Sequence, residues 1–209
     1  MKKIKNQSIQ QFLDELASKT PTPGGGSVAA LLGAQSAALT SMVCNLTIGK
    51  AKFADVESDM QILLQRAEAL RTLLTEFIKA DVNVFNELMA TYALAKETDE
   101  QKSIRSAAIQ QALRAATEVP LACARACREA IALSKIAAEK GNPSAVSDAG
   151  VAVMSAYSGL KSAALNVYTN AASLKDRAFA EAALTELNLL LATSEVDRET
   201  IYQLVINRL

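Results

Sequence analysis

The sequence contains no histidine and no tryptophan, and its 209 residues include three cysteines and four prolines. Without histidine, a Ser-His-Asp hydrolase, a zinc hydrolase of the usual histidine-rich kind and a histidine phosphocarrier are excluded. General acid–base catalysis would fall to Asp, Glu, Lys, Tyr, Cys or a bound water. An odd number of cysteines argues against a disulfide framework and favours a reducing, cytoplasmic setting.

The sequence also predicts no metal site. Cys123 and Cys127 are four residues apart in a helical segment, but two thiolates without a histidine make a poor zinc site. Within the apolar stripes there is no cluster of Asp and Glu at ligand spacing. We expect all three cysteines, Cys44 included, to be small buried apolar residues.

Neither sign of charge is in excess, since 22 Lys and Arg balance 22 Asp and Glu. No net field would attract a polyanion, so nucleic-acid binding is not expected. Residues 21–49 carry no charge at all, but they include several polar side chains and three consecutive glycines. This stretch predicts a buried helix in a globular core rather than a membrane span.

Strand-like alternation is absent, and half of the residues are hydrophobic although only 4% are aromatic. We predict an all-α fold, a multi-helix bundle with long helices, in one domain over 1–209. A capping box of Ser8 and Gln11 starts the first helix, and Pro120 should kink the fourth. The predicted helices run at about 8–18, 27–48, 55–96, 100–140, 147–174, 176–192 and 195–208.

Small residues recur at three- and four-residue steps along the second helix, from Gly26 through Gly33 to Ser41. Such a stripe lets another backbone come close, from the same chain or from a second subunit. Long helices with faces of this kind favour a bundle that oligomerises, so we expect at least a homodimer.

Three glycines precede this helix, in the run Pro23-Gly24-Gly25-Gly26-Ser27. Free backbone N–H groups at a helix start can meet an anion or a carbonyl, and Ser27 is a natural N-cap. The run is neither a Walker A loop nor a dinucleotide-binding fingerprint. On the motif alone, a flexible turn is the better explanation of the glycines.

Asp81 falls within an apolar stripe at helical spacing, between Phe77 and Phe85, where a core residue is expected. A buried carboxylate needs a cation, hydrogen bonds or a raised pKa, and each is common at working sites. A structural ion pair with an internal Arg or Lys is the alternative, and the sequence leaves both open.

A third segment that could carry chemistry begins at Gly141-Asn142-Pro143. It continues to Ser147-Asp148 at a helix start, where a cap is expected. Small and polar residues, from Asp148 to Asn166 and Asn170, then form a seam along an otherwise apolar helix. Such a seam indicates a hydrogen-bonded subunit contact or a ligand groove. The two asparagines favour the groove because buried amides need partners.

These places together resemble the formiminotetrahydrofolate cyclodeaminase and methenyltetrahydrofolate cyclohydrolase family, including the cyclodeaminase half of the bifunctional formiminotransferase-cyclodeaminase. The resemblance spans about 12–170, in order. Ser144 stands where the family usually has Asn, which weakens any role for that side chain. The matching stretches are PTPGGGSVAALLGAQSAAL, NLTIGK at 45–50, Asp81 with Phe85, Arg105 before EVP at 118–120, GNPSAVSDAGVA at 141–152 and NVYTN at 166–170.

The resemblance implies a homo-oligomer with a folate site near the subunit contact, no metal and no cofactor beyond the tetrahydrofolate substrate. The reaction would be closure of 5-formiminotetrahydrofolate to 5,10-methenyltetrahydrofolate with loss of ammonia, or hydrolysis of the methenyl bridge to 10-formyltetrahydrofolate. Asp148 and Asp81 are the candidate acid–base groups, with Asp148 preferred. Candidate substrate-binding residues are Gly24, Gly25, Gly26, Ser27, Lys50, Arg105, Asn142, Ser147, Asn166 and Asn170.

A non-enzymatic helical scaffold is the alternative from another class. It would explain the alanine-rich faces and the neutral charge. It would not explain a carboxylate inside an apolar stripe or a glycine run that opens a charge-free helix.

Overall fold

The computed structural model describes residues 4–209, apart from the side chain of Lys5, so residues 1–3 of the predicted domain lie outside it. Over this range the chain forms six α-helices and no strand, which confirms the all-α prediction. Three short 3-10 helices occur at Ile4–Asn6, Ala51–Val56 and Pro143–Ala145. The α-helices are α1 Ile9–Leu16, α2 Gly25–Asn45, α3 Glu57–Tyr92, α4 Asp99–Lys140, α5 Val146–Ala172 and α6 Arg177–Ile206.

Two helices begin with complete capping boxes. The Ser8 hydroxyl accepts the N–H of Gln11 at the start of α1, as predicted, and Thr98 accepts the N–H of Gln101 at the start of α4. In both cases the glutamine side chain accepts the N–H of the cap residue in return. Each box satisfies two backbone donors that a helix start leaves unpaired.

Helices α2 and α5 occupy the centre of the bundle and pack closely through their small residues. A Cβ added to Gly159 of α5 would lie 2.8 Å from the carbonyl oxygen of Ala29 and 3.1 Å from the nitrogen of Gly33. A Cβ on Gly33 would lie 2.8 Å from Sγ of Cys127 on α4. The small-residue stripe of α2 therefore serves helices of the same chain.

Helix α2 is long and apolar enough, by length and composition, to cross a membrane. However, 61% of its most apolar 18-residue stretch is buried within the bundle. Ala29, Ala30 and Val43 are fully buried in the main core cluster. This burial is what the charge-free stretch at 21–49 predicts for a core helix.

Some helix boundaries differ from the predicted ones. Residues 177–206 form one helix, so the predicted break near 193–194 is wrong: no proline or glycine interrupts the segment, and Ser194 is fully buried inside it. Helix α2 begins at Gly25 with Gly24 as its N-cap, so Ser27 is not the cap. Helix α5 begins at Val146, and its N-cap, Ala145, makes no side-chain bond.

Helix α4 continues through Pro120, which has no N–H to donate to the carbonyl of Ala116. The side chain of Asn170 on α5 replaces this donor, with 2.6 Å between Nδ2 and the Ala116 oxygen. A proline inside a helix is therefore accommodated by a cross-helix hydrogen bond.

Candidate active site around Asp81

Asp81 contacts the first turn of α2. The hydroxyl of Ser27, which is fully buried, donates to Oδ2 of Asp81 at 2.8 Å. The carboxyl group lies over Gly26, where an added Cβ would be 2.6 Å from Cγ of Asp81 and would overlap Oδ1. The glycine run and the apolar stripe of α3, two separate signals in the sequence, therefore meet at one carboxylate.

Burial raises the pKa of the Asp81 carboxyl above its usual range, and hydrogen bonds from the Ser27 side chain and backbone oppose this increase. Among the described residues, no Lys or Arg forms an ion pair with Asp81. The structural ion pair, which the sequence left open, is not found there. A half-buried carboxyl with a raised pKa is a suitable acid–base group near neutral pH.

Next to Asp81 lies a small cavity with a volume of about 10 Å³, which has room for at most one water molecule. Its walls include Gly26 and Phe77 on one side and Val119, Pro120 and Cys123 of α4 on the other. A folate cannot enter such a space, so a substrate must approach Asp81 from outside it.

A larger cleft, of about 890 Å³, runs along the same part of α3. Lys79, Val82 and Asn83 form one wall, and the N-terminal segment and Thr22-Pro23 form the other. This volume lies within the range of small-molecule sites. Lys79 and Asn83 are not among the predicted site residues, although their i, i+4 spacing places them on one helix face.

The cysteine thiols are not suited to nucleophilic catalysis at neutral pH. Burial raises the pKa of Cys44 to about 11. A hydrogen bond with Cys123 and burial raise the pKa of Cys127 well above its usual range. All three thiols are buried, as predicted. In the described part of the chain, no three Cys, Asp or Glu side chains are grouped so that they could hold a metal ion.

A second group of predicted site residues lies at the other end of α2. The N–H of Asn142 donates to Oγ1 of Thr47 at 2.9 Å, and its Nδ2 donates to the carbonyl of Leu46 at 3.0 Å. Its Oδ1 accepts the N–H of Ser144. Asn142 therefore joins the 141–148 segment to the 45–50 segment, and both of its amide atoms are engaged in structure.

Asp148 lies in the first turn of α5, half-buried, with no hydrogen bond or ion pair inside the described chain. The neighbouring Ser147 is exposed, and so is Lys50 just beyond α2. These three side chains, all predicted site residues, are free to meet a ligand or another subunit at this end.

The remaining predicted residues lie elsewhere. Asn166 donates to the carbonyl of Ser162 in its own helix at 3.1 Å, and Asn170 supports α4 as described above. Arg105 donates to the carbonyl of Tyr92 at 3.1 Å, near the α3–α4 connection. Gly25 has open space around it.

Asp81 and Asp148 do not meet within one chain. Ser155 of α5 donates to the carbonyl of Leu32, and Gly159 packs on Ala29, so α2 and α5 are antiparallel. Asp148 is about three helical turns before Gly159, away from the end where Ser27 holds Asp81. At 1.5 Å per residue, the two carboxylates are separated by about 20 Å along the bundle axis.

The sequence also matches a known protein family. Residues 8–189 match the formiminotransferase-cyclodeaminase family. The chain belongs to this family. It is 58% identical over 200 residues to a methenyltetrahydrofolate cyclohydrolase of Methylorubrum extorquens, with 96% of each protein covered.

Two further relatives extend the comparison. The rat formimidoyltransferase-cyclodeaminase is 34% identical over 184 residues, which cover 88% of this chain and 34% of the rat protein. The crystal structure of formiminotetrahydrofolate cyclodeaminase from Thermotoga maritima superposes with a TM-score of 0.83 at 29% identity. That superposition covers 99% of this chain and 98% of the Thermotoga chain.

Proposed function

We propose that this chain is a folate one-carbon enzyme, a methenyltetrahydrofolate cyclohydrolase that acts in the cytoplasm as one domain and needs no cofactor beyond its folate substrate. The observation that carries the proposal is the half-buried carboxyl of Asp81, held by Ser27 over Gly26 without an ion pair to a described Lys or Arg. Support for the hydrolytic reaction comes from the 58% identity with the Methylorubrum cyclohydrolase over nearly both lengths.

In this reaction a water molecule adds to the bridging carbon of the methenyl group, which lies between N5 and N10. Asp81 accepts the proton that the water loses, and its negative charge stabilises the cationic amidinium while the water approaches. The bond from the carbon to N5 then breaks, N5 keeps the electron pair, and Asp81 returns the proton to it. The hydroxyl oxygen on the carbon loses its remaining proton to water and becomes the carbonyl oxygen of the 10-formyl group. The raised pKa of Asp81 suits a group that both accepts and returns a proton.

The substrate has room in the cleft of about 890 Å³ along α3. Lys79 and Asn83 supply a cation and an amide to its wall, whereas Asp81, two residues from each of them, points to another side of α3 and does not line the cleft. An ammonium and an amide can hold carbonyl and carboxylate groups, so this cleft suits a part of the folate that lies away from the bridging carbon.

A homodimer would explain why the candidate residues form two groups. A twofold axis perpendicular to α2 places one end of this helix beside the opposite end in the partner. Met42 of α2 and Val151, Met154 and Leu165 of α5 are large, apolar and exposed. Burial of this surface against a second copy would bring Asp148 of the partner subunit to the Asp81 site.

The second candidate is cyclodeamination of 5-formiminotetrahydrofolate. The similarity to the Thermotoga cyclodeaminase across nearly the whole of both chains favours it. The two reactions share a tetrahedral carbon between N5 and N10, so the same carboxyl group can serve both. The difference lies in the leaving group, which is ammonia in the second reaction.

The test follows the absorbance of 5,10-methenyltetrahydrofolate when the purified protein is added, and separately follows ammonia release from 5-formiminotetrahydrofolate. We expect faster loss of the methenyl absorbance and little ammonia. Rapid ammonia release with slow hydrolysis would instead assign the cyclodeaminase reaction. If neither reaction is accelerated and folinic acid does not raise the melting temperature, the proposal is wrong and the scaffold alternative stands.

A further inference from the structure

A second cleft, of about 390 Å³, lies where α3 is followed by α4, away from the cavity beside Asp81. Four cationic side chains line it: Lys96, Lys102, Arg105 and Lys175. The other lining residues are neutral, and no carboxylate is among them. In a chain with equal numbers of acidic and basic residues, this is a local concentration of positive charge.

The position of Lys175 is fixed by hydrogen bonds between the α5–α6 connection and α4. The N–H of Lys175 donates to Oε1 of Gln110 at 2.6 Å, and Nε2 of Gln110 donates to the carbonyl of Ser173 at 3.2 Å. The ammonium group itself donates to Oγ of Ser106 at 2.6 Å. The lysine is therefore held at the cleft before any ligand arrives, which lowers the entropic cost of binding.

Arg105 is also fixed, but it is incompletely bonded. One guanidinium nitrogen, Nη2, donates to the carbonyl of Tyr92, and the guanidinium lies 5.8 Å from the centre of the Tyr92 ring. Its Nε is buried without a hydrogen-bond partner. A buried donor of this kind usually has an acceptor in the working protein.

The carboxylates near the cleft are engaged in other contacts. Glu97 accepts the backbone N–H of Lys96 at 3.0 Å. Asp99 pairs with Lys102 at 2.8 Å, and its own side chain is 97% exposed. Asp176 pairs with Arg114 and caps α6. This leaves Lys96, Arg105 and Lys175 without an ion pair among the described residues.

We propose that this cleft binds a small anion that carries several negative charges, such as a tricarboxylate or an oligophosphate. A single negative charge would leave most of the converging cations unpaired, whereas an extended anion can contact them together. Arg105 provides directed donors, and the two lysines provide adaptable point charges.

The anion can come from two sources. It can be a free metabolite of this chemistry, or it can be the carboxylates at the end of the substrate's own tail. The cleft begins near Tyr92, and α3 rises about 16 Å between Asp81 and Tyr92, which an extended tail can span. Only the second source rests on the proposed function.

The test measures binding of citrate and of inorganic tripolyphosphate by calorimetry and by thermal shift, at low and high salt. In the wild-type protein we expect both anions to raise the melting temperature, less so at high salt. The double variant Lys96→Gln, Lys175→Gln should weaken binding by roughly tenfold or more, because charged hydrogen bonds contribute on this scale. The matched control Lys19→Gln, Lys135→Gln removes the same charge elsewhere and should bind as wild type.

The source of the anion is then decided by kinetics. If citrate competes with the folate substrate, and the double variant raises KM with kcat unchanged, the cleft holds the substrate's tail. If the anions bind without a change in KM, the ligand is a separate metabolite. Absence of binding to the wild-type protein, or equal weakening in both double variants, would overturn the proposal even if the enzyme is active.

Discussion

Ser27 donates its hydroxyl proton to Asp81 at 2.8 Å, and this bond joins two residues that are 54 positions apart in the sequence. It ties the first turn of α2 to the middle of α3 and supplies the polar contact that a half-buried carboxylate needs. The close approach is possible only because Gly26 has no side chain.

Asp81→Asn should separate activity from stability. The variant keeps the size of the side chain but cannot accept a proton, so we expect turnover to fall by about a hundredfold to ten-thousandfold. The pKa of Asp81 is higher in the folded protein than in the unfolded chain. The protonated carboxyl group therefore stabilises the fold below the unfolded pKa, and this stabilisation is lost as the pH rises through the folded pKa. Because Asn does not ionise, the variant should melt higher than wild type at neutral pH.

This stability difference should shrink as the pH falls towards that of an ordinary carboxyl group, at about 4. Melting curves across this range, with turnover measured in parallel, check both expectations. Asp55→Asn, at an exposed carboxylate, is the control and should change neither the turnover nor the melting temperature. A less stable Asp81→Asn protein at neutral pH would instead identify the carboxylate as a structural anchor.

Ser27→Ala should shift the pH profile. Its hydroxyl lowers the pKa of Asp81, so its removal should raise that pKa further. Asp81 acts as a base when it is ionised, so the acid limb of kcat/KM should move to higher pH. Ser36→Ala is a matched control in the same helix, because Ser36 is also fully buried and its hydroxyl has no partner in the described structure. An unchanged acid limb in Ser27→Ala would show that the titrating group is not Asp81.

Gly26→Ala and Gly25→Ala should differ although they are adjacent. A methyl group at Gly26 meets the Asp81 carboxyl group, so we expect loss of most activity and about 1–3 kcal/mol of stability, the usual cost of overpacking. A methyl group at Gly25 meets nothing within 4 Å, so that variant should be active and equally or more stable. If the two variants have equal melting temperatures and equal activities, the Asp81 carboxylate can move away from α2.

Much of the fold could be predicted from local patterns. The capping box at Ser8, the long helical periodicities and the burial of α2 depend on neighbouring residues in the chain. The break predicted near Ser194 is absent because this fully buried serine packs inside α6, which runs without interruption through it. Such tertiary contacts leave no local signal.

For the candidate site, Asp81 could be recognised because an acid interrupts an apolar stripe. Its bond with Ser27 could not, since the serine also fits an N-cap and the contact crosses two helices. The separation of Asp148 from Asp81 depends on the antiparallel packing of α2 and α5, which sequence spacing does not reveal. The residues of the polar seam of α5 also have different roles. Asn170 donates to the carbonyl of Ala116, which Pro120 cannot bond, and so it supports α4.

Asn170→Ala should destabilise the protein through Pro120. The substitution leaves the carbonyl of Ala116 buried without a donor, which costs about 1–3 kcal/mol. Pro120→Ala restores the backbone N–H that bonds this carbonyl, so it should rescue part of the loss in the double variant. Denaturant unfolding of the four proteins gives the coupling energy. If the two effects simply add, the hydrogen bond does not compensate for the proline.

Mixed subunits provide the test of a site shared between two chains. Asp81→Asn and Asp148→Asn should each be nearly inactive as homodimers if both carboxylates act in the reaction. When the two variants are unfolded and refolded together, half of the dimers should be mixed, and each of these has one site with both carboxylates intact. We therefore expect about a quarter of the wild-type activity to return. Residues that act within one chain would give no recovery, because every site in the mixture would then carry one substitution. Full activity of Asp148→Asn by itself would remove that residue from the reaction and leave Asp81 as the acid–base group.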